Sequence, residues 1–174
     1  MTIQITIGGA PHGAVRLDKV KAVKTGTLAS VVHTQDLDNG AFVQLGDLVE
    51  GQRDQFAVKV PDENSINTDS LYLHADDELN YYVGQQILDY TLPAGKAGRT
   101  YLLEAGDIVT VTNNMLTPNG GAAIANGDFV APVAGSLLLS DVGTTEPTTR
   151  FVGKVIETTT IYGEPATVIR VLKN

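Results

Sequence analysis

The chain has 174 residues and no cysteine, and its 12 Lys and Arg against 20 Asp and Glu give a formal charge of −8. The missing cysteine excludes a disulfide framework, thiolate catalysis and zinc sites built on sulfur. The acidic balance is repelled by phosphate backbones, so nucleic acid is not an expected partner.

No apolar run approaches the ~20 residues that span a bilayer, so no membrane partner is expected either. The opening MTIQITIGGAPHG lacks the basic start and apolar core of a signal peptide. A chain of this length buries roughly 70% of its unfolded surface, enough to fold as one domain without a staple. With no Trp, four Phe and six Tyr, the core falls to Val, Ile and Leu.

Residues 2–6 alternate, with Ile3 and Ile5 on one side, before Gly8, Gly9, Pro11 and Gly13 break the run. This pattern predicts a short strand on a flexible joint, an N-terminal arm over residues 1–13 ahead of a single β domain over 14–174. The arm's strand joins its own sheet or adds to a neighbour's sheet edge, where main-chain bonds give affinity with little side-chain demand. In the second case Ile3 and Ile5 are contact residues.

Residues 14–24 carry Arg16, Lys19, Lys21 and Lys24, whereas residues 61–80 hold Asp62, Glu63, Asp69, Asp76, Asp77 and Glu78 with no Lys or Arg. The two stretches read as solvated faces, or as a basic segment that meets an acidic surface on a neighbouring subunit. Asn39–Gly40 signals a tight turn. In residues 55–60 Phe56, Val58 and Val60 are expected to face in, and Ala57 and Lys59 out. Residues 71–74 predict a short strand. Residues 77–88 predict one or two helical turns at most, since Gly84 and the Tyr81–Tyr82–Val83 run oppose a longer helix.

After residue 106 the strand signal is dense. Val109 and Val111 alternate with threonines, Asn119–Gly120 and Asn126–Gly127 mark turns, and Phe151–Thr160 with Ala166–Leu172 predict a hairpin joined through residues 162–165. The dipeptide Gly-Asp ahead of an apolar run occurs as Gly46–Asp47, Gly106–Asp107 and Gly127–Asp128, each predicting a turn that launches a strand. Many short strands between Gly, Asn and Pro turns predict an all-β fold, a small barrel or sandwich with little helix.

Candidates for chemistry are poor, and no enzyme activity is expected. His12, His33 and His74 are scattered and read as surface or turn residues, none beside a nucleophile. Pro93–Ala94–Gly95–Lys96–Ala97 fails as a phosphate loop because Ala97 stands where Ser or Thr would hold magnesium. Residues 36–40 are one residue short of a calcium loop and lack its closing Glu, so Asp38 and Asn39 are expected to bond their own turn. No metal or cofactor is expected.

Residues 90–109, with Pro93–Ala94–Gly95–Lys96, Arg99, Tyr101, Leu103 and Gly106–Asp107, resemble a segment of small structural proteins encoded near the major capsid protein of tailed bacteriophages. Residues 37–46 and Val152–Gly153–Lys154–Val155–Ile156 are similar to the same family. The resemblance implies a capsid decoration, or cement, protein. Such a protein is made in the host cytoplasm, sits on the exterior of the virion bound to the major capsid protein, often as a trimer, and does no chemistry. Residues 1–13 have no counterpart in that pattern.

On this reading Arg16, Lys19 and Lys21 are subunit or capsid contacts, and Lys96 and Arg99 form an exposed loop that meets acidic capsid surface. A carbohydrate-binding or adhesive β module is the alternative. Its aromatic platform would have to come from Tyr72, Tyr81 and Tyr82.

Overall fold

A computed structural model describes residues 12–20, 28–76 and 87–174. The expected arm strand and the residues Ile3, Ile5, Lys21, Tyr81 and Tyr82 lie outside the described residues, as does most of the expected helical turn over 77–88. Of that turn, Ile87–Asp89 is described and is a single 3-10 turn.

The fold is all-β, as expected. Five strands close a barrel in the order β2–β4–β3–β5–β6: β2 (Leu28–Val32), β3 (Phe42–Leu48), β4 (Gln55–Lys59), β5 (Tyr72–His74) and β6 (Ala97–Leu102). All its pairings are antiparallel except β2 with β4. The other seven form one sheet in the order β1–β7–β12–β11–β9–β10–β8. They are β1 (Val15–Lys19), β7 (Ile108–Thr112), β8 (Leu116–Thr117), β9 (Phe129–Pro132), β10 (Leu139–Gly143), β11 (Val152–Ile161) and β12 (Glu164–Lys173). The single α-helical turn among the described residues is α1, Ser65–Thr68.

Alternation decides which side chains meet, because residues opposite one another on paired strands share a face. In the barrel, Val31 lies opposite Gly98 and Phe56, Thr100 opposite His74, and Leu45 opposite Val58, which gives the inner set. The other face of β3 and β5 carries Phe42 and Leu73, also buried. That wall is buried on both sides, its outer face packing against residues of the seven-stranded sheet. Phe42 meets Phe151 with ring centroids 6.0 Å apart, and one apolar cluster runs from Val31 and Leu73 to Val109, Val155 and Ile169. Polar ties reinforce the seam. The Asn174 side chain accepts from the Leu71 N–H and donates to the Leu71 and Leu103 carbonyls, each at 2.7 Å.

Two of the three Gly-Asp dipeptides are the same device. At Glu104–Asp107 and Ala125–Asp128 the aspartate carboxylate accepts the N–H three residues earlier at 2.8 Å, and glycine takes φ 93° or 100°, conformations that side chains with a Cβ rarely adopt. Each dipeptide then bonds one valine in both directions. Gly106 donates to Val171 and Val171 to Asp107; Gly127 donates to Val155 and Val155 to Asp128. The two turns thus clamp β12 and β11, the strands of the central hairpin, from opposite sides.

Gly46–Asp47 is different and corrects the expectation of a third turn. It lies inside β3, at an irregularity in register between Leu45 and Leu48, and a Cβ on Gly46 would sit 2.9 Å from the Ala57 carbonyl oxygen. Here glycine permits close backbone approach. Val60, expected to face in, is 37% exposed because β4 ends at Lys59 before Pro61. The hairpin turns on two residues, Tyr162 (φ 51°) and Gly163 (φ 89°), shorter than the four-residue link expected.

Candidate functional site

The residues expected at an interface fall on two separate parts of the molecule. Arg16 and Lys19 lie on β1, an edge strand of the seven-stranded sheet. Lys96 and Arg99 lie on the barrel: Lys96 closes the exposed turn at 93–96, but Arg99 belongs to β6 and not to a loop. The turn's N–H groups are taken. Gly95 donates to the His33 carbonyl at 2.8 Å and Ala94 to Asp36 Oδ1 at 2.9 Å, so neither cradles an anion. Arg99 helps line a cavity of about 380 Å3 on the barrel's outer wall with Leu28, Ser30, Asp54 and Asp76.

The histidines also divide. His12 Nδ1 is 2.9 Å from Asp38 Oδ1. His33 Nδ1 accepts from the Thr34 N–H. His74 is wholly buried, which corrects its reading as a surface or turn residue. Strand alternation places it on the inner face of the barrel, against the backbone of Gly98, where a Cβ would meet its ring at 2.7 Å. Its Nδ1 is 3.0 Å from the Arg99 carbonyl, so Nδ1 carries the proton and Nε2 is left without a partner. Burial pushes its pKa below the ordinary 6.5, against smaller opposing pulls from Asp76, the Arg99 carbonyl and Asp38. The hydroxyl of Thr100, opposite His74, donates to the Ala29 carbonyl at 3.0 Å.

Asp38 and Asn39, expected to bond their own turn, instead reach other segments through their side chains. Asp36 accepts from Ala94, Asp38 meets His12, and Asn39 Oδ1 accepts from the Asp76 N–H at 2.7 Å. The two carboxylates and the Asn39 amide diverge to hold three other segments, and no group of three or more metal-ligating side chains occurs among the described residues. The acidic stretch after residue 61 is internally used too. Asp62 accepts from Asn64 and Ser65, and main-chain bonds hold its carboxyl below the usual carboxylate range. Asp69 binds Lys59 at 2.8 Å. Tyr72 packs against the core and offers no free platform.

The strongest surface feature is a row of side chains across the outer face of the sheet. Cross-strand pairing sets Lys19 opposite Ile108, Ile108 opposite Arg170, Arg170 opposite Lys154 and Lys154 opposite Phe129. Each of Val109, Ile169, Val171, Val155 and Val130 beside them is buried, so the row points away from the core. Lys154 stands over the Phe129 ring, Nζ 5.3 Å from its centroid. A parallel row sets Arg16 opposite Thr110, Thr110 opposite Val168 and Val168 opposite Glu157. Arg16 Nε lies 3.8 Å from Asp18, whose carboxylate accepts from the Thr110 hydroxyl.

Of these residues the sequence singles out Arg16 and Lys19. Lys154 and Arg170 belong to the row because of a bulge at Ile156, between Val155↔Ile169 and Glu157↔Val168. Comparison with family models, with curated proteins and with solved structures finds no match for this chain.

Proposed function

We propose that this chain is a structural virion protein, a decoration protein that binds the outside of a tailed-phage head lattice, with the major capsid protein as partner. The reading starts from the resemblance of residues 37–46, 90–109 and 152–156, and one observation supports it. The segments that carry the likeness are bonded into one frame. Leu37 and Leu92 exchange two main-chain hydrogen bonds of 2.9 Å. Gly106–Asp107 grips Val171 of β12, and β12 pairs with β11, which holds residues 152–156. Residues 90–109 also run from β6 of the barrel into β7 of the sheet, so the shared segments reach both units and are tied within each, which suits a rigid scaffold. Rigidity serves such a role because a lattice clamp gains strength when several contacts form at once, each intramolecular after the first.

The test is to add the purified protein to capsid shells that lack it, then sediment and heat them. Saturable co-sedimentation with a raised shell melting temperature is the expected result. A folded protein that leaves the shells unbound and their melting unchanged overturns the proposal, and a trimer in solution would be read from its sedimentation mass.

A further inference from the structure

The row Lys19–Ile108–Arg170–Lys154–Phe129 costs something in the isolated protein. Arg170 and Lys154 are direct cross-strand neighbours, and like charges in that position repel. Among the described residues neither forms an ion pair. In the two adjoining rows Lys19, Arg170, Lys154 and Arg16 face Asp18 and Glu157, four cations against two carboxylates, in a chain whose net charge is −8. The charge is concentrated where the surface is also apolar. Beside the row lies a depression of about 350 Å3 lined by Ile108, Ile156 and Val168 together with Arg16, Asp18 and Glu157, and Ile156 is 37% exposed. An apolar patch beside a row in which cations outnumber carboxylates is the pattern of a docking surface for an acidic partner. The bulge at Ile156 builds it, since it turns Ile156 out and sets Lys154 against Arg170.

We infer that the outer face of the seven-stranded sheet, centred on Ile156 and the Lys19–Arg170–Lys154 row, docks a carboxylate-rich face of another protein. The partner supplies Asp or Glu side chains to Arg170 and Lys154 and covers Ile156. On the function proposed above, on which its biological setting rests, that face belongs to the capsid lattice. The contact itself is a property of this chain and is testable without a capsid.

The probe is poly-L-glutamate, titrated into the 15N-labelled protein and followed by backbone amide shifts. Shifts are expected at Lys19, Ile108, Arg170, Lys154 and Phe129. Affinity should weaken roughly tenfold or more as salt shortens the screening length from about 10 to about 3 Å. The Lys154→Glu/Arg170→Glu double variant, at exposed or half-exposed positions and checked for an unchanged fold by its amide spectrum, should lose these shifts. Should that variant fail to fold, Arg170→Gln with Lys154→Gln replaces it, with the same expectation. Shifts that are absent, or that centre on the 93–96 turn, overturn the inference, as does preferential binding of a DNA duplex at the same residues.

Shell sedimentation separates the two ideas. Wild-type protein that ignores shells removes the proposed function and leaves the poly-glutamate result standing. Wild-type and double variant that bind shells equally well remove the row.

Discussion

Inside the barrel, His74 leaves Nε2 without a partner, and on the barrel wall Gln44 leaves Oε1 without one. The buried polar side chains of the seven-stranded sheet are satisfied. Asp107 accepts from Glu104, Thr112 Oγ1 accepts from the Ala14 N–H, and the Thr167 hydroxyl donates to Asn113 at 2.7 Å. The two regions share one apolar core, yet one carries the cost of unpaired polar atoms and the other does not. A buried polar atom without a partner costs about 1–3 kcal/mol. The difference predicts that the barrel opens before the sheet.

The largest test attacks what the regions share. Phe42→Ala should cost about 3–5 kcal/mol, because it empties the contact with Phe151 at the seam. Urea unfolding of this variant should remain a single transition. Two separated transitions would show that barrel and sheet fold independently, and the comparison would lose its common core.

Acid is the next test, since it selects the barrel. The folded pKa of His74 lies below the unfolded value of 6.5, so the unfolded chain binds the extra proton more readily. The contribution of a neutral His74 is present above about pH 6.5 and is lost as pH falls below it. Thermal melts between pH 7.5 and 5 should show a decline that His74→Leu reduces. Hydrogen exchange at low pH should open β5 and β6 before β11 and β12. An unchanged pH dependence in the variant would remove His74 as the barrel's weak point.

Smaller effects distinguish the Gly-Asp dipeptides. Asp107→Ala should cost about 1–3 kcal/mol, because it removes a wholly buried carboxylate that accepts from the Glu104 N–H. Asp128→Ala, at a half-buried turn, should cost about 1 kcal/mol. Asp47→Ala, exposed in β3, should stay within about 0.5 kcal/mol. Equal losses at all three sites, measured by urea denaturation, would erase the distinction between clamp and bulge.

These contrasts also show where the sequence stops being legible. Val109 and Val111 between threonines, and Asn126–Gly127, predict their strand and turn because the signal is local and the period short. Gly46–Asp47 carries the same two letters as the clamps, and the ladder to β4 overrides the turn they favour. His74 follows Leu-Tyr-Leu, and alternation alone does not say which face of so short a strand closes on a barrel interior. Lys154 is hidden by the bulge. Strict register counted back from Tyr162–Gly163 would set it opposite the buried Val171, and the extra residue at Ile156 brings Arg170 opposite instead. A slip of one residue exchanges the faces of a strand, so the basic row could not be assembled from the sequence.

The order of the strands in the sheet also has a consequence in time. β1–β7 on one side and β9–β10–β8 on the other meet only through the β11–β12 hairpin, which follows all of them in the chain. During synthesis both half-sheets therefore wait with open apolar edges for the piece that closes them. Such long-range closure is slow and leaves unpaired edges available to other chains. The piece that closes them is itself local, a hairpin joined by the two-residue Tyr162–Gly163 turn.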